Sequence, residues 1–417
     1  MRKLIIEGQN RLKGEIKIQG SKNSILPILV ATILCDEECE IYNCPNILDV
    51  KTTIEILKYL GCEVVFKNSC IKVNSRNLNK YDIPEKLMRK MRSSIIFLGA
   101  LISKIEKAEL TLPGGCELGP RPIDIHTSGL KMMGINISEK YGKINCYLDK
   151  KIKDKKIIFP FPSVGATENL ILAAVKYEGT TLIHNAAQEP EIVDLANFLN
   201  AMGAKINGAG ENIIEIIGVK KLHGAQYTIM SDRIVAITYL CAAGITQSNL
   251  ILHEVSENHI NSAISLLKET GCVIKKYDNQ LKIISPERLK PIKNVRTMPY
   301  PGFPTDAQAL LMAMVSIANG TSVFVETIFE SRYKHVSELL RLGAKIKVEG
   351  NVAIVDGVKE LFGANTAASD LRGAAALIIS GLAARGQTIV SGVEYLERGY
   401  ENINQVLENV GASIFFD

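Results

Sequence analysis

The feature that most constrains this chain is a repeat. A leucine, three residues, a glycine and a short aliphatic run recur six times, at Leu57 with Gly61, Leu130 with Gly134, Leu199 with Gly203, Leu267 with Gly271, Leu339 with Gly343 and Leu407 with Gly411. The glycines fall 73, 69, 68, 72 and 68 residues apart. Each copy reads as a helix end. The leucine packs the last turn, the glycine takes the left-handed conformation that stops the helix, and the aliphatic run starts a strand. A second helix precedes the motif, as at 169–176, 306–317 and 371–382, and a strand follows it, opened by Gly179, Gly320 or Gly386. With a hairpin strand such as 352–355, each unit is an α/β repeat, and six repeats divide into two domains of three whose middle falls near 226–230.

Composition agrees. A length of 417 residues suggests two or three domains, and the repeat narrows this to two. Hydrophobic residues at 47% and charged residues at 22% exclude disordered and low-complexity classes. With 6% aromatics and no Trp, the core must be aliphatic. The net charge of +5 is dispersed, unlike the basic stripe of a nucleic-acid binder. Nine cysteines, an odd number, and a start without a secretory signal lead us to expect reduced thiols and a cytoplasmic protein. No apolar run approaches the roughly 18 residues of a membrane span, so no membrane insertion is expected.

The first helices of the repeats begin with caps and charges: Ser21-Lys22-Asn23, Arg92-Ser93-Ser94, Ser163-Val164-Gly165, Ser231-Asp232-Arg233, Thr305-Asp306 and Ser369-Asp370-Leu371-Arg372. Ser, Thr and Asp are ordinary N-caps. Lys22, Arg92, Arg233 and Arg372 are harder to explain, because a cation there opposes the helix dipole unless an anion offsets it. Ends of this kind, turned to one cleft, would attract phosphates and carboxylates.

Candidate chemistry lies in two loops. Three glycines and three prolines between Pro113 and Pro122 shape a loop that presents Cys116, with Arg121 five residues on. A nearby cation favours thiolate, so Cys116 reads as a nucleophile or, protonated, as an acid, and the loop as a lid. Pro301 and Pro304 fix the approach to a helix that carries Asp306, either a dipole partner or a general base. Arg332, Arg372 and Arg398, with Lys22, Arg92 and Arg121, form a set suited to one multiply charged small anion. His126 follows the cysteine loop closely. The spacing of Cys35, Cys39 and Cys44 is too loose for zinc, and no metal is expected. The charged run 149–156 reads as a solvated turn. No P-loop, dinucleotide fingerprint or Gly-x-Ser-x-Gly elbow is present.

Ordered segments then carry a resemblance over essentially the whole chain. They are Gly20-Ser21-Lys22-Asn23, Met91-Arg92, Pro113 to Cys116, Arg121 to Asp124, Pro162 to Thr167, Glu189 to Asp194, Phe303 to Asp306, Ser369 to Arg372 and Arg398 to Glu401. The chain resembles the UDP-N-acetylglucosamine 1-carboxyvinyltransferases, within the family that includes 5-enolpyruvylshikimate-3-phosphate synthase. The resemblance implies a two-domain inside-out α/β barrel of six βαβαββ repeats, with inner helices and outer sheets. One domain would run over 22–229 and the other over 1–21 with 230–417. It implies transfer of the enolpyruvyl group of phosphoenolpyruvate to the 3-hydroxyl of UDP-N-acetylglucosamine by addition and elimination, the first committed step of peptidoglycan synthesis. The partners would be those two small molecules, without cofactor or nucleic acid; oligomeric state stays open.

By matched position, Cys116 would be the proton donor and Asp306 the base. Lys22, Arg92, Arg121 and Arg398 would hold phosphoenolpyruvate. Asn23, Arg121, Pro122, Ile123, Asp124, Ser163, Val164, Gly165, Asp306 and Ile328 would surround the nucleotide sugar, with Arg332 and Arg372 completing the cation set. Phe161 stands near where some members carry Lys, and Tyr395 where many have His. The shikimate-pathway sister lacks the cysteine loop. An RNA 3′-phosphate cyclase shares the repeat, but the dispersed charge argues against it. A non-catalytic nucleotide-sugar binder is the third alternative.

Overall fold

The computed structural model describes residues 2–112, 123–150 and 152–417. These separate into two compact units, one of residues 20–230 and one of residues 2–19 with 231–417. Each unit holds three four-stranded sheets.

One repeat shows the rule. Strand Lys155–Ile158 pairs in parallel with Thr180–His184, which pairs antiparallel with Ile213–Ile217, which pairs antiparallel with Lys205–Asn207. A parallel neighbour demands a crossover, and the helix Val164–Ala174 supplies it. The helix Pro190–Ala201 links the second and third strands, which completes βαβαββ. All six sheets repeat this spatial order.

Three sheets are completed by strands from far along the chain, one of them by Lys13–Lys17, which pairs in parallel with Asn249–His253. Gln226–Thr228 pairs in parallel with Cys39–Tyr42 and so supplies the leading strand of the first sheet. Leu4–Glu7 lies between Gln387–Ser391 and Ser413–Phe416, antiparallel to both.

The repeat motif has its physical cause in view. All six glycines have φ between +85° and +102°, and all six leucines are at most 1% exposed. At Gly134 the restriction is double, because an added Cβ would also run into the Lys150 carbonyl oxygen.

The first helix of each repeat is internal. In the second unit Arg233–Ile245, Thr305–Val315 and Leu371–Ala383 pack on one another, and every residue of the first of them is buried. A helix covered on all sides is apolar all round. The second helices are one-sided: Asn261–Glu269 buries only Ala263, Ile264 and Leu267. Each unit is therefore inside-out, with helices within and sheets outside.

Two expectations change. The helix read at 169–176 begins at Val164, with Ser163 as its cap. The charged run is not solvated throughout, because Lys155 lies in a strand and is buried. Its ammonium donates to the carbonyls of Lys153 at 2.6 Å and Glu178 at 3.3 Å and covers the Tyr177 ring. Burial pulls it down to about 8. Carbonyl acceptors and a ring face made this burial tolerable, and charge patterning cannot reveal either.

Candidate active site

In the second unit the site is built around Asp306. Pro304 precedes the helix Thr305–Val315 and has no side-chain group to cap it, and Asp306 lies in its first turn. Arg332 Nη2 donates to the Asp306 Oδ1 at 2.9 Å and Arg372 Nη2 to its Oδ2 at 3.1 Å. Both arginine side chains are 3% exposed, whereas the carboxylate keeps 31%. Arg332 also donates twice to the Thr305 carbonyl, at 3.2 and 3.0 Å. Arg372 Nη1 donates to the Tyr400 hydroxyl at 3.2 Å. Thr238 Oγ1 lies 2.8 Å from that hydroxyl and itself donates to the Ile234 carbonyl, so the tyrosine proton points at the threonine. A directed chain thus runs from the carboxylate into an inner helix. The result is a partly open carboxylate fixed by two buried guanidinium groups.

Arg398 ends the short helix Val393–Arg398. The loop after it is clasped by Gln19, whose Nε2 donates to the Gly399 carbonyl at 3.1 Å and whose Oε1 accepts from the Glu401 amide at 2.8 Å. Ile328 lies three residues beyond the end of the strand Thr321–Val325, after the buried Glu326.

In the first unit Lys22 opens the helix Lys22–Ala31, which Ser21 caps. Lys22 Nζ lies 3.0 Å from Asp49 Oδ2, with side chains 13% and 3% exposed. The carboxylate of Asp49 therefore offsets this helix-end cation. Asn23 follows, half-buried. Ser24 Oγ donates to Asp194, which also accepts from Tyr227 Oη at 2.6 Å and the Met230 amide at 3.1 Å. Burial raises the Asp194 pKa, and these three donors hold it back.

A second group in this unit gathers Arg92, Asp124, His126 and Gly165. Arg92 opens the short helix Arg92–Ile96. Ile123 precedes the helix Asp124–Met132, and Asp124 sits in its first turn, where a carboxylate suits the dipole. Burial first, and the Arg92 charge second, push His126 down to about 4, with Asp124 pulling the other way. Asn169 fixes the tautomer. Its Oδ1 accepts from the Gly99 amide and its Nδ2 donates to the Ile95 carbonyl, so the remaining amide proton points at His126 Nδ1, 3.0 Å away. The ring proton is then on Nε2. A Cβ on Gly165 would stand 3.1 Å from His126 Cε1, so only glycine sits easily beside that ring. Ser163 Oγ accepts from the Ala166 amide, and Val164 begins the helix.

Cys116, Arg121 and Pro122 lie outside the described residues. Among the described residues, no group of three or more His, Cys, Asp or Glu is placed to hold a metal ion. Cys35 and Cys39 sit 3.7 Å apart, and Cys44 donates to the Ile41 carbonyl. Phe161 is exposed. The sequence reading gave no role to Asp49, Asn169, Gln19, Glu326 or Tyr400, which act on site residues; only Tyr400 lies in a segment that carried the resemblance.

The family model for EPSP synthase (3-phosphoshikimate 1-carboxyvinyltransferase) matches residues 6–407. UDP-N-acetylglucosamine 1-carboxyvinyltransferase 2 of Caldanaerobacter subterraneus subsp. tengcongensis is 51% identical over 414 residues, 99% of each chain. This chain belongs to the UDP-N-acetylglucosamine 1-carboxyvinyltransferases of the EPSP synthase family. Another member of these carboxyvinyltransferases, from Carboxydothermus hydrogenoformans, is 46% identical over 99% of this chain and 98% of its own. Among solved structures, the enolpyruvyl transferase NikO from Streptomyces tendae superposes with a TM-score of 0.89 at 23% identity, over 100% of this chain and 99% of its own. EPSP synthase from Acinetobacter baumannii superposes with a TM-score of 0.75 at 19% identity, over 100% of both chains. At those identities the likeness is one of fold. It establishes the enolpyruvyl transferase architecture for this carboxyvinyltransferase.

Proposed function

We propose that this chain transfers the enolpyruvyl group of phosphoenolpyruvate to the 3-hydroxyl of UDP-N-acetylglucosamine and releases phosphate, the first committed step of peptidoglycan synthesis, in the cytoplasm. The observation that carries the reading is 51% identity along 99% of a UDP-N-acetylglucosamine 1-carboxyvinyltransferase, on a chain that has Cys116 and Asp306. The chemistry needs an acid and a base. Cys116 gives its thiol proton to the methylene carbon. The sugar oxygen bonds to the neighbouring carbon, and Asp306 takes the hydroxyl proton. Elimination then breaks the bond to phosphate while the new methyl group loses a proton, which restores the vinyl group on the sugar.

Lys22, Arg92, Arg121 and Arg398 hold phosphoenolpyruvate and stabilise charge on its carboxylate and phosphate. Asn23, Pro122, Ile123, Asp124, Ser163, Val164, Gly165 and Ile328 surround the nucleotide sugar. The anchored Asp306 supports this reading, because a carboxylate fixed by Arg332 and Arg372 needs no reorientation when the hydroxyl arrives.

The test is phosphate release from phosphoenolpyruvate. Release should require UDP-N-acetylglucosamine, and Cys116→Ser should remove turnover by about 10²-fold or more while nucleotide-sugar binding survives. Release with shikimate 3-phosphate in place of the nucleotide sugar would reassign the chain to the sister reaction.

A further inference from the structure

Glu326 has no part in the chemistry described so far, yet it gathers four hydrogen bonds at 2% exposure. Its Oε1 accepts from Thr297 Oγ1 at 3.0 Å and from the backbone amides of Ile328 at 2.8 Å and Phe329 at 3.1 Å. Its Oε2 accepts from Thr305 Oγ1 at 3.0 Å. A buried carboxylate is tolerated only when donors replace its water, and an ionised carboxylate offers about four acceptor positions. Here four donors from three separate segments engage it, three on Oε1 and one on Oε2.

Two of those segments carry site residues. Thr305 immediately precedes Asp306, and its carbonyl takes both donors of Arg332, which also grips the Asp306 carboxylate. The other segment is the backbone of Ile328 itself. Thr297 completes the arrangement, because its hydroxyl also accepts the Thr327 amide at 2.9 Å.

We propose that Glu326 is a positioning residue that holds the base Asp306 and the Ile328 backbone in one fixed register. A single carboxylate then sets both where the nucleotide sugar is held and where its hydroxyl meets the base. The proposal rests on the functional reading above, in which Asp306 and Ile328 serve the acceptor sugar. Glu326 touches no reacting atom, and its effect passes through Thr305 and the 327–329 backbone. An acceptor-only group is needed for all four donors, but glutamine can nearly replace it. The amide oxygen would keep the three Oε1 donors and the NH₂ would donate to Thr305 Oγ1, whose own proton turns away. Alanine leaves every donor without its acceptor.

The test is steady-state phosphate release with each substrate varied separately. Glu326→Ala should raise the KM for UDP-N-acetylglucosamine by about tenfold and lower kcat by a similar factor. The KM for phosphoenolpyruvate should stay within about twofold and Glu326→Gln should recover most of both losses. Thr305→Val breaks only the Oε2 bond, so it should lower kcat while leaving the nucleotide-sugar KM near wild type. If Glu326→Ala is too unstable to assay, Thr305→Val and Glu326→Gln carry the test. Equal rises in both KM values, or no kcat loss in Thr305→Val, would overturn the proposal. A wrong acceptor would appear in the wild-type enzyme itself, as release with another alcohol, and the same split would then be read against that acceptor. The two failures are thus distinguishable.

Discussion

Asp306 shows how much a single carboxylate can organise. Arg332 lies 26 residues away and Arg372 lies 66 residues away, and both are buried because Asp306 receives them. Asp306→Asn would keep one acceptor and turn an NH₂ group toward the other guanidinium. Turnover should fall by about 10²- to 10⁴-fold, read by phosphate release. Stability should fall by about 2–3 kcal/mol, read by urea unfolding, at the low end for a broken buried pair because Asp306 keeps solvent contact. Unchanged stability would mean that the guanidinium groups do not depend on this partner. The sequence marked Arg332 and Arg372 as cations awaiting an anion, and marked Lys22 likewise. It could not show that Asp306 and Asp49 are anions they already meet, because such pairs form only when the chain brings distant segments together. Glu326 was invisible for the same reason: its four donors come from three segments.

At the scale of elements, the glycine repeat was legible because its cause is local. A helix that must stop and turn into a strand within a few residues needs a left-handed position, and the same need recurs six times. What a residue meets across space was not legible, as Lys155 shows. The glycines themselves separate the two effects. At Gly343, φ is +87° and an added Cβ would have its nearest neighbour, Phe362 Cδ2, at 3.5 Å. Gly343→Ala should therefore cost only the backbone penalty, about 1–2 kcal/mol. Gly134→Ala meets the same penalty and the Lys150 carbonyl as well, so it should cost clearly more. Urea midpoints of the two variants decide this, and equal losses would show that backbone conformation alone matters at both positions.

For the molecule as a whole, two buried histidines shape the response to acid. His126 and His335 both stand at about 4, chiefly through burial, against an ordinary value of 6.5. Between those values the unfolded chain binds protons that the native protein refuses, so their contribution to stability falls as pH drops from about 6.5 to 4 and then levels off. Each depressed value corresponds to roughly 3 kcal/mol over that window. Asp194 and Glu168 work in the opposite sense, because burial raises their values and favours the protonated native state. The clean readout is a comparison: His335→Gln should flatten the loss of urea midpoint between pH 7 and 5 relative to wild type. An unchanged slope would show that His335 does not contribute. The position of Leu4–Glu7 inside the last sheet bears on how the protein is made. On the ribosome this apolar segment emerges long before its partners Gln387–Ser391 and Ser413–Phe416. Residues 20–230 can complete their fold meanwhile, but the nascent chain must carry an unpaired strand until those partners are made, and such a strand invites pairing with another chain. Loss of Ser413–Phe416 would leave that strand with a bare edge in the finished protein.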